Sequence, residues 1–247
     1  MAQKHYEEQR RFARDYVLPF LRSRLPNLFE MRVLEIGCAE AGLLAVLAEQ
    51  GVTVCGIELS EDRVAVALAQ NPQLDVRVGD LTDPKLPLQF ERPFDLIILR
   101  DVIEHVPNRE AAFQNLSRLL RPGGWVYVTF PPRFSPFAGH QQNAKTALRR
   151  LPWVQLWPAG LVRWLGRRLG EPRFMTDHII HNGRTGLSLR AFRRFYRKAG
   201  FTEYHRDWFL SRPIYRQRFG WKVRRFPAIP ILSEFFVTGC EVLLKKG

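Results

Sequence analysis

Hydrophobic positions in this chain recur at two spacings, and the alternation between them divides it into elements. Residues 4 to 25 place Tyr6, Ala13, Tyr16, Val17 and Phe20 at intervals of three, four and seven with charges between, which predicts an amphipathic helix ending near Pro26. Apolar runs of strand type follow at Arg32 to Ile36, Val52 to Ile57, Leu74 to Val78, Phe94 to Leu99 and Trp125 to Phe130. Helical patterns lie between them. Ala41 to Gln50 stops at Gly51, Glu61 to Gln70 follows Ser60 as N-cap, and Arg109 to Leu120 ends at Pro122, Gly123 and Gly124.

Strands alternating with helices of this length imply right-handed crossovers and a parallel sheet covered on both faces. Prolines 131, 132, 136, 152, 158 and 172 then interrupt the alternation, so residues 132–187 are expected to be an insertion after the fifth strand. The pattern resumes with Ser188 capping a helix Leu189 to Ala199, a strand Phe201 to Phe209 and a last strand Val237 to Leu244. The expected architecture is a Rossmann-like doubly wound α/β fold in one domain: a mostly parallel seven-stranded sheet with an antiparallel last strand. Residues 1–30 form an N-terminal helical lid, 31–131 the ligand-binding core, and 188–247 the closing helix and strands. Such sheets bind ligands beyond the carboxyl ends of their strands, so the turns after Ile36, Ile57, Val78 and Leu99 are the places to search.

Charge changes this picture in one region. The chain of 247 residues carries a formal +14, yet residues 141–225 hold 20 Lys and Arg against 4 Asp and Glu, and the remainder is close to neutral. Five of the six tryptophans (Trp153, Trp157, Trp164, Trp208, Trp221) lie in that window, which suits a surface meeting something anionic and partly apolar. Residues 147–169 mix Trp, Leu and Arg as an interfacial helix does; the competing reading is a lid over the site with solvated arginines. RNA is a third partner such a composition would suit, without a recognisable RNA-binding module. Cys38, Cys55 and Cys240 show no CxxC spacing, so neither a zinc cluster nor a disulfide framework is expected. The start lacks the apolar middle of a secretion signal, and a cytoplasmic location is expected, with a peripheral contact on the membrane's cytoplasmic face.

The first chemical feature is Val33-Leu-Glu35-Ile-Gly37-Cys38-Ala39-Glu-Ala-Gly42, a strand ending in a small-residue turn that opens a helix. Helix N-terminal N–H groups suit a carboxylate or a pyrophosphate equally, and Gly37, Ala39 and Gly42 also fit a loose dinucleotide fingerprint. Glu35 separates the readings, because a carboxylate facing the ligand would repel pyrophosphate but attract a sulfonium. Glu58, followed by Leu59, is placed to accept both hydroxyls of a ribose, and Gly79-Asp80-Leu81 to take an adenine amino group and cover the ring.

VLEIGCAEAGLL, GIELS, VGDL, FDLIILRDVIEHV and LLRPGGWVYVTFP, in this order over residues 31–131, resemble the class I S-adenosylmethionine-dependent methyltransferases. The likeness is strongest to the branch of ubiquinone and menaquinone biosynthesis enzymes and small-molecule O-methyltransferases, and weaker from LSLRAFRRFYRKAGF onward. It implies S-adenosylmethionine as cofactor, yielding S-adenosylhomocysteine, and no metal. It places Glu35, Gly37, Cys38, Ala39 and Gly42 around methionine and ribose, and Glu58 and Leu59 at the ribose. Asp80 and Leu81 flank adenine, while Arg100, Asp101, Val102 and His105 border cofactor and substrate. The family's ExGxGxG is here E-I-G-C-A-E-A, with alanines that fit where φ is negative and Gly42 supplying the missing freedom.

The implied chemistry is attack by a hydroxyl on a sulfonium methyl group, for which His105, and second His140, is the candidate base. Asp177, His178 and His181 have a metal-like spacing, but no shell completes it and a polar loop is the expectation. Phe130-Pro-Pro-Arg-Phe134 follows the fifth strand rather than the fourth, against base N-methylation. The expected acceptor is a hydroxyl on a small or lipid-linked molecule, a glycan or isoprenoid intermediate. Alternatives are an NAD(P)-dependent oxidoreductase, an RNA methyltransferase and a non-catalytic binding protein on the same scaffold.

Overall fold

The computed structural model describes residues 2–229 and 231–247. The chain opens with α1 (Ala2–Phe12), a π-helical turn over Ala13–Val17 and α2 (Leu18–Arg22), so the single helix expected is continuous in path but underwound in its middle. The alternation follows as β1 (Arg32–Ile36), α3 (Gly42–Glu49), β2 (Thr53–Glu58), α4 (Glu61–Gln70), β3 (Asp75–Val78), β4 (Phe94–Arg100), α5 (Arg109–Leu119) and β5 (Leu120–Phe130). Ser60 caps α4 by accepting from the Arg63 N–H, and Asn108 caps α5 in the same way. The Pro-Gly-Gly turn expected before Trp125 is drawn into β5, with a register irregularity against β4 between Phe94 and Leu96.

The insertion contains helices as well as irregular chain: α6 (Ala159–Leu169) and α7 (Arg173–Thr185), preceded by three short 3-10 turns. It has its own small core of Leu148, Val154, Val162, Met175, Ile179 and Ile180. The Asp177–His181 segment is therefore helical rather than a loop, and Asp177 pairs with Arg163 at 2.9 Å. After α8 (Leu189–Lys198), capped by Ser188, and β6 (Phe201–Ser211), the chain makes a second excursion that the periodicity did not announce. It comprises α9 (Pro213–Phe219), the two-residue β7 (Arg224–Arg225) and α10 (Leu232–Phe236) before β8 (Gly239–Lys246).

The sheet order is β3-β2-β1-β4-β5-β8-β6-β7. The first five run parallel, and β8 is antiparallel to both β5 and β6, so the expected doubly wound sheet is present with the small β7 as an eighth member. One face packs Leu34, Ile36, Ile97 and Leu99 against Phe113, Leu116, Phe192 and Tyr196 of α5 and α8. The other packs Val33, Leu96, Ile98, Tyr127 and Leu243 against α2, α3 and the chain from Val17 to Leu28. Among the described residues no helix is long and apolar enough to cross a membrane.

Candidate active site

A cavity of about 530 Å³ runs along the carboxyl edge of the sheet, where the turns after β1, β2, β3 and β4 converge. Gly37, Ala39, Glu58, Leu59, Asp80, Leu81, Arg100, Asp101, Val102 and His105 all line it. Sequence positions up to 68 apart are thus gathered at one cleft by parallel strand order.

The turn after β1 is held tightly. The N–H groups of Gly37 and Cys38 donate to Ile57 O at 2.7 and 3.2 Å, and the Ala39 N–H donates to Glu58 Oε2 at 2.9 Å. Glu58 Oε1 accepts from Leu59 and Ser60 N–H at 3.0 and 3.1 Å, so its carboxylate is fixed in aim while retaining lone pairs toward the cavity. Gly37 has φ +69, and a Cβ there would fall 2.4 Å from Val102 Cγ2. This is a cradle that any side chain would fill.

Two expectations about this turn are corrected. Ala39 and Ala41 lie at φ 51 and 61, in the left-handed region, and not at negative φ. Gly42 supplies no positive φ; it is small because α1 presses on it, with Tyr6 O and Gln9 Cβ each 2.7 Å from where its Cβ would stand. Gln9 Oε1 also accepts the Gly42 N–H at 3.0 Å, which ties α1 to the turn.

Glu35 does not face the cavity. It is 1% exposed, behind the turn, and its Oε1 accepts from Arg100 Nε and Nη2 at 3.2 and 3.0 Å while Oε2 has no partner. Burial pushes its carboxyl up to about 7 despite the Arg100 charge, with Glu58 adding a smaller push. Its reach to a ligand is therefore through Arg100, which does line the cleft. Cys38 and Gly42 likewise stand outside the lining. Asp80 is exposed, with Oδ1 accepting from Thr82 N–H and Oγ1 at 2.7 and 2.8 Å, and buried Leu81 is fixed by Asn115 Nδ2 donating to its carbonyl at 2.8 Å.

At the other end, Asp101 (φ 55) is held by its N–H on Thr129 O at 2.8 Å, and Arg212 Nη2 donates to its carboxylate at 2.8 Å. His105 stands between the main cavity and a small second one that also contains Glu104, Arg133 and His140. His140 is thus behind His105, ring centroids 5.3 Å apart, and does not line the main cavity. Burial lowers the proton affinity of both rings, that of His140 to about 4, so His105 is neutral near pH 7. Glu104 was not anticipated: its buried carboxylate has no hydrogen-bond partner, and its donor atom, with those of His105 and His140, lies in a group within 4.8 Å.

No residue of 132–187 lines the main cavity; the insertion meets the site behind His105, where His140 and Asn182 line the small second cavity. The wall of the main cavity comes instead from Phe209, Arg212, Pro213, Ile214 and Arg218, with Phe12 and Tyr16 from the N-terminal helices. Its floor carries Glu241, which accepts Tyr16 Oη at 2.7 Å and also the hydroxyl of Tyr127. The available signal for Glu241 was a single carboxylate inside the apolar run from Val237 to Leu244.

These residues fit an adenosyl sulfonium: a cradle without side chain at Gly37, a fixed acceptor at Glu58, and a cover at Leu81. A family model described as Methyltransferase domain matches residues 6–205. The chain is 32% identical over 159 residues to a ubiquinone biosynthesis O-methyltransferase of Xylella fastidiosa, covering 60% of this chain and 63% of that protein. A namesake from Nitrosomonas europaea is 31% identical over 116 residues, 45% of this chain and 48% of the relative. The chain thus spans less than two thirds of the length of these relatives. In fold it is similar to an S-adenosylmethionine-dependent methyltransferase from Mesorhizobium loti (TM-score 0.60, 18% identity, 92% of this chain and 96% of that one). It is also similar to a TehB-like one from Corynebacterium glutamicum (TM-score 0.53, 17% identity, 95% and 98%). Sheet order, cleft and family match together place this chain in the class I S-adenosylmethionine-dependent methyltransferase family.

Proposed function

We propose that the chain transfers a methyl group from S-adenosylmethionine to a hydroxyl of a small or lipid-linked molecule. The observation that carries this is the lining of the cleft, which brings Gly37, Glu58 and Leu81 into one cavity with His105, Arg212 and Glu241. Bound S-adenosylmethionine would supply an electrophilic methyl group. Glu58 would accept its ribose hydroxyls, and Asp80 with Leu81 would hold the adenine. The names of the Xylella and Nitrosomonas relatives support an oxygen acceptor.

In this reading His105, neutral at pH 7, takes the acceptor's proton, and His140 supports it from behind rather than acting itself. Alignment of the two reactants in a water-poor cleft would supply most of the acceleration. Residues 1–30 cover the donor half as a lid, residues 31–131 hold the donor, and the whole chain works as one unit. An isoprenoid or glycan intermediate suits the apolar walls at Phe12, Phe209 and Ile214 beside the Arg212 cation. The exposed Leu161, Trp164, Arg167 and Arg168 of α6 support a peripheral contact with the cytoplasmic face of a membrane.

The test is ligand stabilisation followed by transfer. S-adenosylhomocysteine at about 100 times its Kd is expected to add about 2.7 kcal/mol, or roughly 5–10 °C in Tm, and Glu58→Ala to abolish the gain. Labelled methyl groups are then expected in dihydroxybenzenes with an isoprenyl chain. Stabilisation by NAD(P) in place of S-adenosylhomocysteine would overturn the assignment.

A further inference from the structure

The excursion between β6 and β8 carries two kinds of surface. Inward, Arg212, Pro213, Ile214 and Arg218 wall the main cavity. Outward it is both apolar and basic. Nine of the twenty large hydrophobic side chains that are exposed lie between positions 210 and 236, including Phe219, Trp221 (58%), Ile231 (74%), Leu232, Phe235 and Phe236. Helix α9 buries none of its residues.

Between Asp207 and Glu234 there is no acidic residue and there are six cations. Arg212, Arg218 and Arg225 are used in ion pairs with Asp101, Glu8 and Asp207. Arg216, Lys222 and Arg224 have no ion-pair partner among the described residues. A stable monomer has no use for such a patch in water, where each exposed ring orders solvent without gain.

The excursion also packs against the insertion. Trp153 packs edge-on against Phe236 at 5.9 Å and donates its indole N–H to Phe235 O at 3.3 Å, and Phe134 lies 5.7 Å from Phe235. These contacts join the excursion to the insertion, whose α6 leaves Leu161 and Trp164 exposed with Arg167 and Arg168 beside them.

We infer that residues 212–229 and 231–236 dock on the anionic headgroup surface of a lipid bilayer, with the α6 face as an accessory contact, so that the cavity wall itself rests on the membrane. Aromatic side chains enter the headgroup layer while unpaired cations meet lipid phosphates, the arrangement of an interfacial anchor. An acyl or isoprenyl acceptor then reaches the cleft past Pro213 and Ile214 without crossing water. Docking is independent of the methyl transfer proposed above; only the identity of what enters the cleft rests on it.

The experiment is sedimentation of the whole chain with vesicles of phosphatidylcholine, with and without phosphatidylglycerol. Three proteins are compared: wild type, Arg216→Ala/Lys222→Ala/Arg224→Ala, and Phe219→Ala/Trp221→Ala. Each cation near an anionic surface is worth roughly 5-fold, so the triple variant is expected to lose on the order of 100-fold in partitioning to anionic vesicles. The aromatic variant is expected to weaken binding to both vesicle types. Thermal stabilisation by S-adenosylhomocysteine is expected unchanged in both variants, which certifies folding and separates a failed docking surface from a failed methyltransferase assignment. Wild-type partitioning by the triple variant, equal binding to neutral and anionic vesicles, or displacement of the vesicles by single-stranded RNA would each overturn the inference.

Discussion

Glu241 offers a test of the cleft that needs no ligand. It is 2% exposed on β8, accepts the hydroxyls of Tyr16 and Tyr127, and its carboxyl is nonetheless pushed from an ordinary 4.5 up to about 7, because burial outweighs the two donors. Between those two values the unfolded chain releases the proton while the folded chain keeps it. Raising the pH through this window therefore favours unfolding. Below it the group costs nothing, and above it the full cost is constant. At 1.36 kcal/mol per pH unit the loss amounts to about 3 kcal/mol.

Glu241→Gln keeps the shape and one carbonyl acceptor but has no proton to release. Its stability relative to wild type is therefore expected to rise by about 3 kcal/mol between roughly pH 4.5 and 7, and to stay level above that. Urea denaturation across this range measures it, and for a chain of this size the change corresponds to roughly 6–12 °C in Tm. The buried Glu35 titrates in the same window in both proteins and cancels in the difference. Parallel stability curves for the two proteins would refute the reasoning, since they would mean that Glu241 is already ionised in the fold at pH 5.

Gly37→Ala puts a methyl at φ +69 and 2.4 Å from Val102 Cγ2, and is expected to cost about 2–3 kcal/mol in urea denaturation and to abolish stabilisation by S-adenosylhomocysteine. Ala41→Gly relieves a left-handed alanine, about 1–2 kcal/mol, while giving up a buried methyl and unfolded-state restriction of similar size; the net change in the same assay is expected within about 0.5 kcal/mol. Arg212→Ala leaves the Asp101 charge uncompensated beside His105, and since Asp101 favours the imidazolium, the His105 titration followed by NMR is expected to move upward. Amide hydrogen exchange is expected to be faster in α1 than in α2, and to slow in α1 when S-adenosylhomocysteine is bound.

The alternation of strands and helices, the caps at Ser60 and Ser188 and the convergence of Glu58, Asp80 and Asp101 on one edge were legible because each depends on local chemistry and on parallel topology. What was not legible depends on partners far along the chain. Nothing near Glu35 indicates that Arg100, 65 residues on, would claim its carboxylate. Small side chains suggested a close backbone approach, but not that Ala39 and Ala41 would take left-handed φ while Gly42 made room for α1. The stretch from 210 to 236 has no sustained period, and its composition, read for secondary structure, concealed that its basic and aromatic side chains form a cavity wall with an outward face.

The N-terminal helices explain why the polar cluster at the floor of the cleft is built as it is. Val17, Leu21, Leu25 and Leu28 are fastened to Val33, Leu96, Ile98 and Leu243 by apolar contact, which has no directional requirement and resists opening. Residues 2–11 carry polar links, His5 to Glu40, Gln9 to Gly42 and Glu8 to Arg218, while Ala13 joins the same apolar core and Tyr16 packs against it and donates to Glu241. Such links exchange with water at small net cost, so if residues 1–30 act as the lid proposed above, its free end would release more readily than its base. The π-helical turn at Ala13–Val17 lies at the junction of these two regimes and aims Tyr16 at Glu241. On the opposite strand Asp207 faces Glu241 across the register, is hydrogen-bonded to His205 and is paired with Arg225, so the carboxylate row ends at the Arg225 cation at the sheet margin. A cover that must admit a charged donor and then exclude water needs this division, because an all-apolar seam would not release and an all-polar one would not seal.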